Sequence, residues 1–533
     1  MTKADDIQPY YNELPSHFAD RLGVHYTETV TAEHKKSNGQ YFTPIGIANL
    51  MSSMCDIETP DIRILDPGCG TAILTCSLIE HLVKHNSNLN SIDLVTYETD
   101  VDLIASSQQV LQYLKKWLKQ RDIVFKYLLH IEDFILDNAD AITNAEHLFT
   151  KRIECFDVII SNPPYFKLSN NDKRTLAAKE IVSGQPNIYS FFMGVAAKLL
   201  KPNGQLIFIT PRSFTSGNYF KSFREFFFKE VQLQRIHLFV SRKDTFGRDN
   251  VLQETVILKA TKKVSANKNP QVMVSSSHGL IDIATPSVKY FSHNDLIDIH
   301  SKEKFLHLPT NDIEESILEI FKFWTGTLRR YNIQISTGPV VSFRAWDYIQ
   351  DSFENGKVFL APLFWLHNVT KMVLIYPVPK PNKGQYLRIE VQTKSILIPN
   401  KNYILLRRFS SKDDTSRLIA APYFCNFIES DYIGVENKVN YIYRKNGHLE
   451  RNEVVGLCAL LNSQLFDSFF RIFNGNVNVS ATELREMTFP PLETIKAIGS
   501  EIILSNNFSA EHVNDVVNEY FETANILNEY EQS

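Results

Sequence analysis

The sequence predicts an α/β protein whose first half is a doubly wound, mainly parallel sheet. Short β-rich runs alternate there with helical stretches, and this alternation is typical of parallel sheets. The candidate strands are residues 63–66, 93–98, 123–133, 156–161 and 205–210. Between them, residues 74–85 and 102–120 carry apolar side chains at the three-to-four residue spacing of amphipathic helices.

The next two β-rich runs, residues 235–240 and 251–260, are separated only by a loop. We expect them to form an antiparallel hairpin at one edge of the sheet. Beyond residue 311, short β-rich runs and the Pro-rich stretch 376–384 predict a mixed α/β second domain, with one apolar helix over 454–473. The expected segments are 1–34 (N-terminal extension), 35–265 (first domain), 266–310 (connection), 311–500 (second domain) and 501–533 (terminal helical segment).

Composition excludes several classes of protein. The chain has 533 residues, of which 44% are hydrophobic and 22% charged, a globular profile rather than a disordered or collagen-like one. The formal net charge is −4, so a surface that binds nucleic acid must be a local patch. The six cysteines form no C-x-x-C pair and no run of 18 apolar residues occurs. We therefore expect a reduced cytoplasmic protein without a metal site or a membrane partner.

A glycine-containing loop follows the first predicted strand. The sequence DPGCGTAIL begins at Asp66 and places Gly68 and Gly70 where the strand passes into a helix. Small residues let the backbone approach a ligand closely, and the helix N-terminus offers free N–H groups. Glu98 ends the next strand, where a carboxylate can accept hydrogen bonds from both hydroxyls of a ribose. A plain tight turn and an ordinary solvated carboxylate are the alternative interpretations.

Asp133 and Phe134 end the third predicted strand. A carboxylate beside an aromatic ring can accept a hydrogen bond from an adenine amine while the ring stacks on the base. Taken alone, the pair is interpreted equally well as a helix cap, Asp133, next to a core residue, Phe134.

The most informative stretch is DVIISNPPYF, residues 157–166, in which a buried strand runs directly into Asn162, Pro163, Pro164 and Tyr165. The two prolines fix φ and stiffen the loop, and because proline lacks an N–H the loop presents carbonyl acceptors without competing donors. Asn162 adds an amide oxygen and Tyr165 a flat ring. Two acceptors beside an aromatic face predict a receptor for a planar group that carries an NH2.

Together these motifs resemble those of S-adenosylmethionine-dependent adenine-N6 DNA methyltransferases of the gamma motif order, as found in restriction–modification systems. The resemblance spans roughly residues 35–260. In that family a motif for the methionine end of the cofactor comes first, then the cofactor motifs, then NPPY, then a target-recognition region. The resemblance implies that segment 35–265 binds S-adenosylmethionine and catalyses transfer, and that segment 311–500 recognises double-stranded DNA.

The resemblance also implies roles for individual residues. GQYFTP, residues 39–44, matches the first motif. The implied cofactor-binding residues are Thr43, Asp66, Gly68, Gly70, Glu98, Asp133, Phe134, Asn162 and Phe192. The implied catalytic residues are Asn162, Pro163, Pro164 and Tyr165. Hydrogen bonds from the adenine amine to the Asn162 side chain and the Pro163 carbonyl would localise the nitrogen lone pair toward the cofactor methyl, in a direct displacement. The adenine must be flipped out of the duplex to reach such a site.

Two weaker motif matches lie further along the first domain. Residues 187–192 resemble the helix that follows NPPY in the family, with Phe192 against the cofactor, and residues 218–226 resemble the motif whose aromatic ring stacks on the target base. Phe220 would then be the second ring beside Tyr165. Either aromatic alone is interpreted equally well as a core residue. Ala72 departs from the family, which often has glycine there, and its methyl group is expected to tighten the cofactor loop.

Basic residues in the second domain are candidate contacts to phosphates or base edges. Arg407 and Arg408 are the expected substrate-binding residues, and the further candidates are Lys412, Arg417, Arg444 and Lys445. For any one cluster, an ordinary solvated face is the alternative. Residues 462–493 also resemble the recognition domains of restriction–modification specificity subunits.

Other activities remain open at this level. Cytosine-N4 methylation of DNA, and methylation of RNA or of a protein glutamine, also present a planar nitrogen to an NPPY loop. C5-cytosine methylation requires a Pro-Cys dipeptide, and none occurs. A fused nuclease is not expected, because about 38 residues precede GQYFTP, so a cognate restriction endonuclease would be separately encoded. A non-catalytic DNA-binding protein would have no use for the NPPY loop.

Overall fold

The computed structural model describes residues 7–31, 33–34, 39, 42–143, 155–182, 186–239, 254–264, 270–297, 303–351, 359–410, 415–474 and 478–527. The chain divides into two units, residues 1–310 and 311–533.

A nine-stranded sheet forms the centre of the first unit. Its strands are β1 Asp61–Asp66, β2 Ser91–Tyr97, β3 Val124–His130, β4 Phe156–Ser161, β5 Leu200–Pro211, β6 Val231–Phe239, β7 Thr255–Lys262, β8 Gln271–Ser277 and β9 Ser287–Ser292. They lie in the order β3-β2-β1-β4-β5-β7-β6-β8-β9, and neighbours from β3 to β5 are parallel. The predicted doubly wound, mainly parallel sheet is confirmed.

Helices connect these strands. They are α1 Pro15–Thr29, α2 Ile45–Ser53, α3 Ile73–His85, α4 Val101–Lys119, α5 Phe134–Asp137, α6 Asp140–Thr143, α7 Lys173–Ala177, α8 Ile188–Lys198, α9 Lys221–Glu230 and α10 His293–Leu296. The long helix α4 illustrates why the sequence folds locally. The side chain of Asp100 caps its first turn by accepting from the Asp102 N–H, and its buried side chains recur at helical spacing, as at Val110, Leu114 and Leu118.

The sheet is covered on both faces, as expected of a parallel sheet. Successive residues of β4 point into two different hydrophobic clusters. Val158 and Ile160 belong to one, Ile159 belongs to the other, and all three are fully buried. Burial on both faces holds the end of β4 rigidly, and this strand leads into the NPPY loop.

The predicted hairpin lies at a different position from the one expected. Strands β6 and β7 pair antiparallel, but β7 lies between β5 and β6, and β8 with β9 continues the sheet beyond β6. These two strands come from segment 266–310, which was expected to be only a connection. Alternate residues of β8, Val272 and Val274, are buried, and this apolar face explains why the short strand joins the sheet. Residues 240 and 251–253 of the predicted hairpin lie outside the described residues.

The second unit is the expected mixture of sheets and helices. Its strands are β10 Ile333–Thr337, β11 Ile349–Gln350, β12 Leu360–Phe364, β13 Val369–Thr370, β14 Val373–Leu374, β15 Tyr386–Arg388, β16 Leu397–Pro399, β17 Tyr403–Arg407, β18 Ala420–Tyr423, β19 Tyr432–Val435 and β20 Val439–Arg444. They form a four-stranded sheet (β10-β20-β17-β18), a five-stranded sheet (β11-β15-β12-β19-β16) and a β13-β14 pair.

The helices of this unit include one difference from expectation. They are α11 Asp312–Phe323, α12 Arg451–Asn462, α13 Gln464–Phe473, α14 Ala481–Glu486, α15 Leu492–Ser505 and α16 Ala510–Phe521. The single helix predicted over 454–473 is therefore two helices. Ser463 separates them because its backbone is extended (φ −68°, ψ 151°) and its side chain accepts from the Phe466 N–H, which begins α13. No helix among the described residues is long and apolar enough to cross a membrane.

Candidate active site

The candidate site lies at the carboxyl ends of β1 and β4. These neighbouring parallel strands are in register at Leu65 and Ile159. From β1 the chain continues to β2, toward one edge of the sheet, and from β4 it continues to β5, toward the other edge. Ligands of open α/β sheets bind at such a switch point. A cavity of about 280 Å³ opens there. The predicted residues that line it are Thr43, Gly68, Gly70, Glu98, Asp133, Phe134, Asn162, Pro164 and Phe192.

The glycine loop is fitted closely to its surroundings. Gly70 has φ +53°, in the left-handed region that favours glycine, and its N–H donates to Glu98. A Cβ at Gly68 would lie 3.6 Å from the Phe192 ring. Ala72 also has a positive φ, 65°, which explains why glycine suits this position in the family that the sequence resembles. The loop thus leaves room for a ligand, and any side chain at Gly68 would occupy part of it.

Glu98 lies at the end of β2 with both carboxylate oxygens in use. One oxygen accepts from the Gly70 N–H at 3.0 Å, and the other accepts from the Asp100 N–H at 2.8 Å. Burial raises the pKa of the Glu98 carboxyl, and these backbone hydrogen bonds oppose the rise. A carboxylate oxygen has a second lone pair, so each can still accept a hydroxyl hydrogen from a ligand in the cavity.

Asp133 combines the two roles that the sequence left open. Its Oδ1 caps α5 by accepting from the N–H groups of Ile135 and Leu136 at 2.9 and 3.1 Å, although the residue also lines the cavity. Phe134 is only 2% exposed, and its ring lies 5.2 Å from that of Phe192. The two rings form an apolar wall suited to a flat base.

The catalytic candidates meet where the NPPY loop passes Thr43. The Asn162 Nδ2 donates to Thr43 Oγ1 at 3.0 Å, and the Tyr165 hydroxyl donates to Asn162 Oδ1 at 2.6 Å. Gly39, with φ +59°, packs on this loop so tightly that a Cβ there would lie 2.8 Å from the Tyr165 backbone nitrogen. Part of GQYFTP therefore covers the NPPY loop, and its residues 40–41 lie outside the described residues.

Several expected site residues do not line the cavity. Asp66 is fully buried behind the glycine loop, where its Oδ2 accepts from Thr75 Oγ1 at 2.7 Å. Burial raises the pKa of its carboxyl to about 7. Pro163 and Tyr165 are also buried away from the cavity. Phe220 is 8% exposed because its ring stacks on Tyr189, with centroids 5.4 Å apart. In this conformation neither expected stacking ring presents an open face.

The cavity also contains residues that the sequence did not indicate, among them Phe42, Asp100, Phe166 and Arg174. Phe42 lies inside GQYFTP and Phe166 directly follows NPPY, so their motifs could have indicated them. Arg174 lies in the short helix α7, which no sequence motif marks. Its guanidinium is held by both oxygens of Asp172, lies 3.7 Å from the Asp133 carboxylate and sits 5.6 Å from the Phe166 ring centroid.

The candidate DNA contacts of the second unit fall into different environments. Arg417 is fully buried, where its guanidinium donates to the Ser410 carbonyl and to Asn474, so it stabilises the fold and is not a surface contact. Arg444 forms a two-point ion pair with Glu453, at 2.8 and 3.0 Å. A run of charges in the sequence does not distinguish such internal partners from an exposed face. The remaining candidates are Arg407, whose Nε donates to the Val369 carbonyl, half-exposed Arg408 and exposed Lys445. Lys412 lies outside the described residues.

Arg408 belongs to a group of cations, here called the basic cluster: Lys380, Lys383, Arg408 and Lys438. Lys380 and Lys383 share one turn, and the Arg408 N–H donates to the Lys438 carbonyl at 2.9 Å. Beside them, Glu436 is 1% exposed; burial raises the pKa of its carboxyl, and the charges of Lys438, Lys383 and Arg408 oppose that rise. Within the described ranges of this unit, the basic cluster forms no salt bridge. Such cations repel one another, which favours an anionic partner.

Comparison with known proteins identifies a family model, two relatives and a solved structure that this chain resembles. Residues 74–246 match the family model of the Eco57I restriction-modification methylase. The Type II methyltransferase M.BsuBI of Bacillus subtilis is 30% identical over 475 residues, which cover 88% of this chain and 91% of the relative. The Type II methyltransferase M.PstI of Providencia stuartii is 28% identical, covering 90% of this chain and 92% of the relative. Among solved structures, the Type IIL restriction-modification enzyme MmeI in complex with DNA has a TM-score of 0.48 and 12% identity, covering 92% of this chain and 69% of that one.

Proposed function

The chain belongs to the Type II methyltransferases of restriction–modification systems, and from this premise we propose that it transfers a methyl group from S-adenosylmethionine to N6 of adenine at specific sites in duplex DNA. The first unit would carry out the transfer and the second unit would recognise the target. A separately encoded endonuclease of the same specificity would be the natural partner of such an enzyme. The observation that carries the proposal is the convergence of Asn162, Thr43 and Pro164 on one cavity.

The lining of the cavity fits the proposed cofactor. Glu98 offers carboxylate oxygens for a ribose, and the rings of Phe134 and Phe192 offer an apolar wall for an adenine. Gly68 leaves a space that a side chain would fill. Thr43 offers a hydroxyl for the methionine end. The bound cofactor would supply a methyl group activated by a positively charged sulfur.

The residues of this chain would act mainly by holding the adenine amine. The Asn162 amide oxygen and the Pro163 carbonyl would accept its two hydrogens, which favours a pyramidal nitrogen whose lone pair points out of the ring plane. The stiff Pro-Pro loop holds Asn162 in place before substrate arrives. The Pro163 carbonyl, which is buried away from the cavity, would have to become accessible as the base enters.

An adenine can reach this loop only outside the duplex, and extrusion costs a few kcal/mol. Stacking on an aromatic ring returns about 1–3 kcal/mol per base. Phe220, which now stacks on Tyr189, would have to turn from that ring to stack on the base. The remainder would come from phosphate contacts, for which the basic cluster in the second unit is the proposed surface.

The experiment that tests the proposal supplies methyl-labelled S-adenosylmethionine with DNA, RNA and protein in separate reactions. Digestion of the labelled DNA and chromatography of its nucleosides should give N6-methyladenine, and sequencing of modified bases should give one recurring site. Label in N4-methylcytosine would contradict the choice of base. Label in RNA or protein, with none in DNA, would refute the proposal as a whole.

A further inference from the structure

Four polar groups form a continuous hydrogen-bond chain beside the cavity. The Asn162 Nδ2 lies 3.0 Å from Thr43 Oγ1, and the Tyr165 hydroxyl lies 2.6 Å from Asn162 Oδ1 and 3.1 Å from the Ile209 carbonyl oxygen. Thr43 is 4% exposed and Tyr165 is 8% exposed, whereas Asn162 between them is part-exposed and lines the cavity. One end of the chain is a carbonyl, which only accepts, and the other end is a hydroxyl that borders the cavity.

This chain can hold its protons in two self-consistent arrangements. In the first, the Asn162 nitrogen donates to Thr43 and the Tyr165 hydroxyl donates to the Asn162 oxygen. In the second, the amide is rotated by half a turn. Thr43 then donates to the amide oxygen, the amide nitrogen donates to the Tyr165 oxygen, and Tyr165 donates to Ile209. Both exist because a hydroxyl can donate and accept, whereas the two ends of an amide cannot exchange roles without rotation.

The arrangements differ in what Thr43 offers to the cavity. The first leaves the proton of its hydroxyl for an acceptor in the cavity, whereas the second uses that proton within the chain. An anionic oxygen beside Thr43, such as the carboxylate at the methionine end of the proposed cofactor, would therefore stabilise the first arrangement by a charge-assisted hydrogen bond.

The arrangements also differ on the side of the target base. In the first, Asn162 turns its amide oxygen, an acceptor, toward the side of the target amino group. In the second, the NH2 of Asn162 takes that place and meets the amino group donor against donor. Only the first arrangement is compatible with binding of an adenine amine.

We propose that cofactor binding sets the direction of this hydrogen-bond chain and thereby prepares Asn162 to accept the amino group of the target. Thr43 and Tyr165 are then positioning residues that act through Asn162. The inference rests on the proposed function and adds to it a coupling between two ligands. Such couplings typically change affinity by about 5- to 150-fold.

The test measures DNA affinity with and without saturating S-adenosylhomocysteine, on two duplexes that carry the site mapped by sequencing. One duplex has adenine at the target position, and the other has purine, which lacks the amino group. The weaker pairing of purine is the same with and without the ligand, so it cancels from the comparison. In the wild type, S-adenosylhomocysteine should strengthen binding of the adenine duplex at least about fivefold more than binding of the purine duplex.

Two variants should shift this readout in different ways. Thr43→Val removes the hydroxyl that links ligand and chain, so the difference between duplexes should vanish, and Thr43→Ser should restore it. Tyr165→Phe removes the hydroxyl that pairs with Asn162 in both arrangements but leaves Thr43 in contact with the amide. Binding of the adenine duplex should therefore weaken, while the difference between duplexes, which is transmitted through Thr43, should persist. A general structural defect would not separate the two variants in this way.

Methyl transfer by the wild type, measured on the same adenine duplex with S-adenosylmethionine, distinguishes failure of the hydrogen-bond proposal from failure of the proposed function. If S-adenosylhomocysteine strengthened binding of both duplexes equally in an enzyme that methylates DNA, only the proposal about the hydrogen-bond chain would be overturned. Failure of the wild type to methylate DNA would overturn the proposed function, and the chain with it.

Discussion

Replacing Asp66 by asparagine should stabilise the first unit at alkaline pH and leave it nearly unchanged at acid pH. The carboxyl is fully buried, and burial raises its pKa to about 7, against the opposing hydrogen bonds from Thr75 and the Gly68 N–H. In the unfolded chain the same carboxyl has a pKa of about 3.9. Between these two values the folded protein holds a proton that the unfolded chain has released.

The size of the effect follows from proton linkage. Because the folded state binds the additional proton, the free energy of unfolding falls as pH rises, by about 1.4 kcal/mol per unit between pH 4 and pH 7. The difference of about three pKa units therefore corresponds to about 4 kcal/mol above pH 7. Asparagine carries no titrating proton, so the variant should escape this loss. Its amide can replace the bond to Thr75, whose hydroxyl accepts as well as donates.

Hydrogen exchange with mass spectrometry on peptides of β1 and β4 measures the stability of the first unit separately from the second. The variant and the wild type should be compared at each pH from 4.5 to 8.5, so that the intrinsic exchange rates cancel. Asp93→Asn is a matched control, because Asp93 lies on the neighbouring strand β2 with its side chain 51% exposed, in a surface pair with Arg63. Its difference from the wild type should stay flat with pH.

Two results would refute this reasoning. A difference between Asp66→Asn and the wild type that does not grow with pH would mean that burial does not hold the carboxyl neutral. Since Asp66 does not line the cavity, the variant should also bind S-adenosylhomocysteine within about threefold of the wild type. A much larger loss would mean that Asp66 contacts the ligand, as the sequence motif first indicated.

Three further outcomes are expected. Asn162→Ala should reduce methyl transfer at least about 100-fold while S-adenosylhomocysteine affinity, measured by calorimetry, changes little, because the lost acceptor acts on the base. Glu98→Gln should weaken that affinity about tenfold or more, because its NH2 would face a backbone N–H; unchanged binding would remove Glu98 from the ribose site. Lys383→Gln with Lys438→Gln should lower the salt dependence of DNA binding by about two units of slope, whereas Lys322→Gln, at an exposed lysine of helix α11 that pairs with Glu319, should not.

The fold of the first unit could be predicted because its signals are local. Each of the five parallel strands β1 to β5 is an apolar run bounded by helical periodicity or loop residues, and long amphipathic helices separate several of them. The addition of β8 and β9 could not be predicted, because a short half-polar strand is recognised only by the neighbour with which it pairs. The break at Ser463 was missed for the opposite reason. Its flanking residues are apolar enough to suggest one helix, and a single side-chain cap decides the boundary.

The site shows the same division between local and tertiary signals. Glycines and prolines next to strand ends indicated the loops that form the cavity, and nine expected residues line it. Arg174 could not be found this way, because its contact with Asp133 depends on where a segment after the NPPY loop returns. Arg417 was misassigned because burial of an arginine depends on acceptors such as Asn474, 57 residues along the chain.

Tyr165 shows how one residue of a motif can be identified correctly while the atom that acts is not. The sequence suggested a flat ring for stacking, but the ring is buried in an edge-to-face contact with Tyr189, and its hydroxyl donates to Asn162 Oδ1. A phenylalanine would stack equally well, so stacking alone gives no reason for the hydroxyl. The hydroxyl is explained if the orientation of the Asn162 amide has to be controlled. On this argument Tyr165→Phe, which keeps the buried ring and loses only the hydroxyl that holds Asn162, should weaken binding of the adenine duplex and slow methyl transfer.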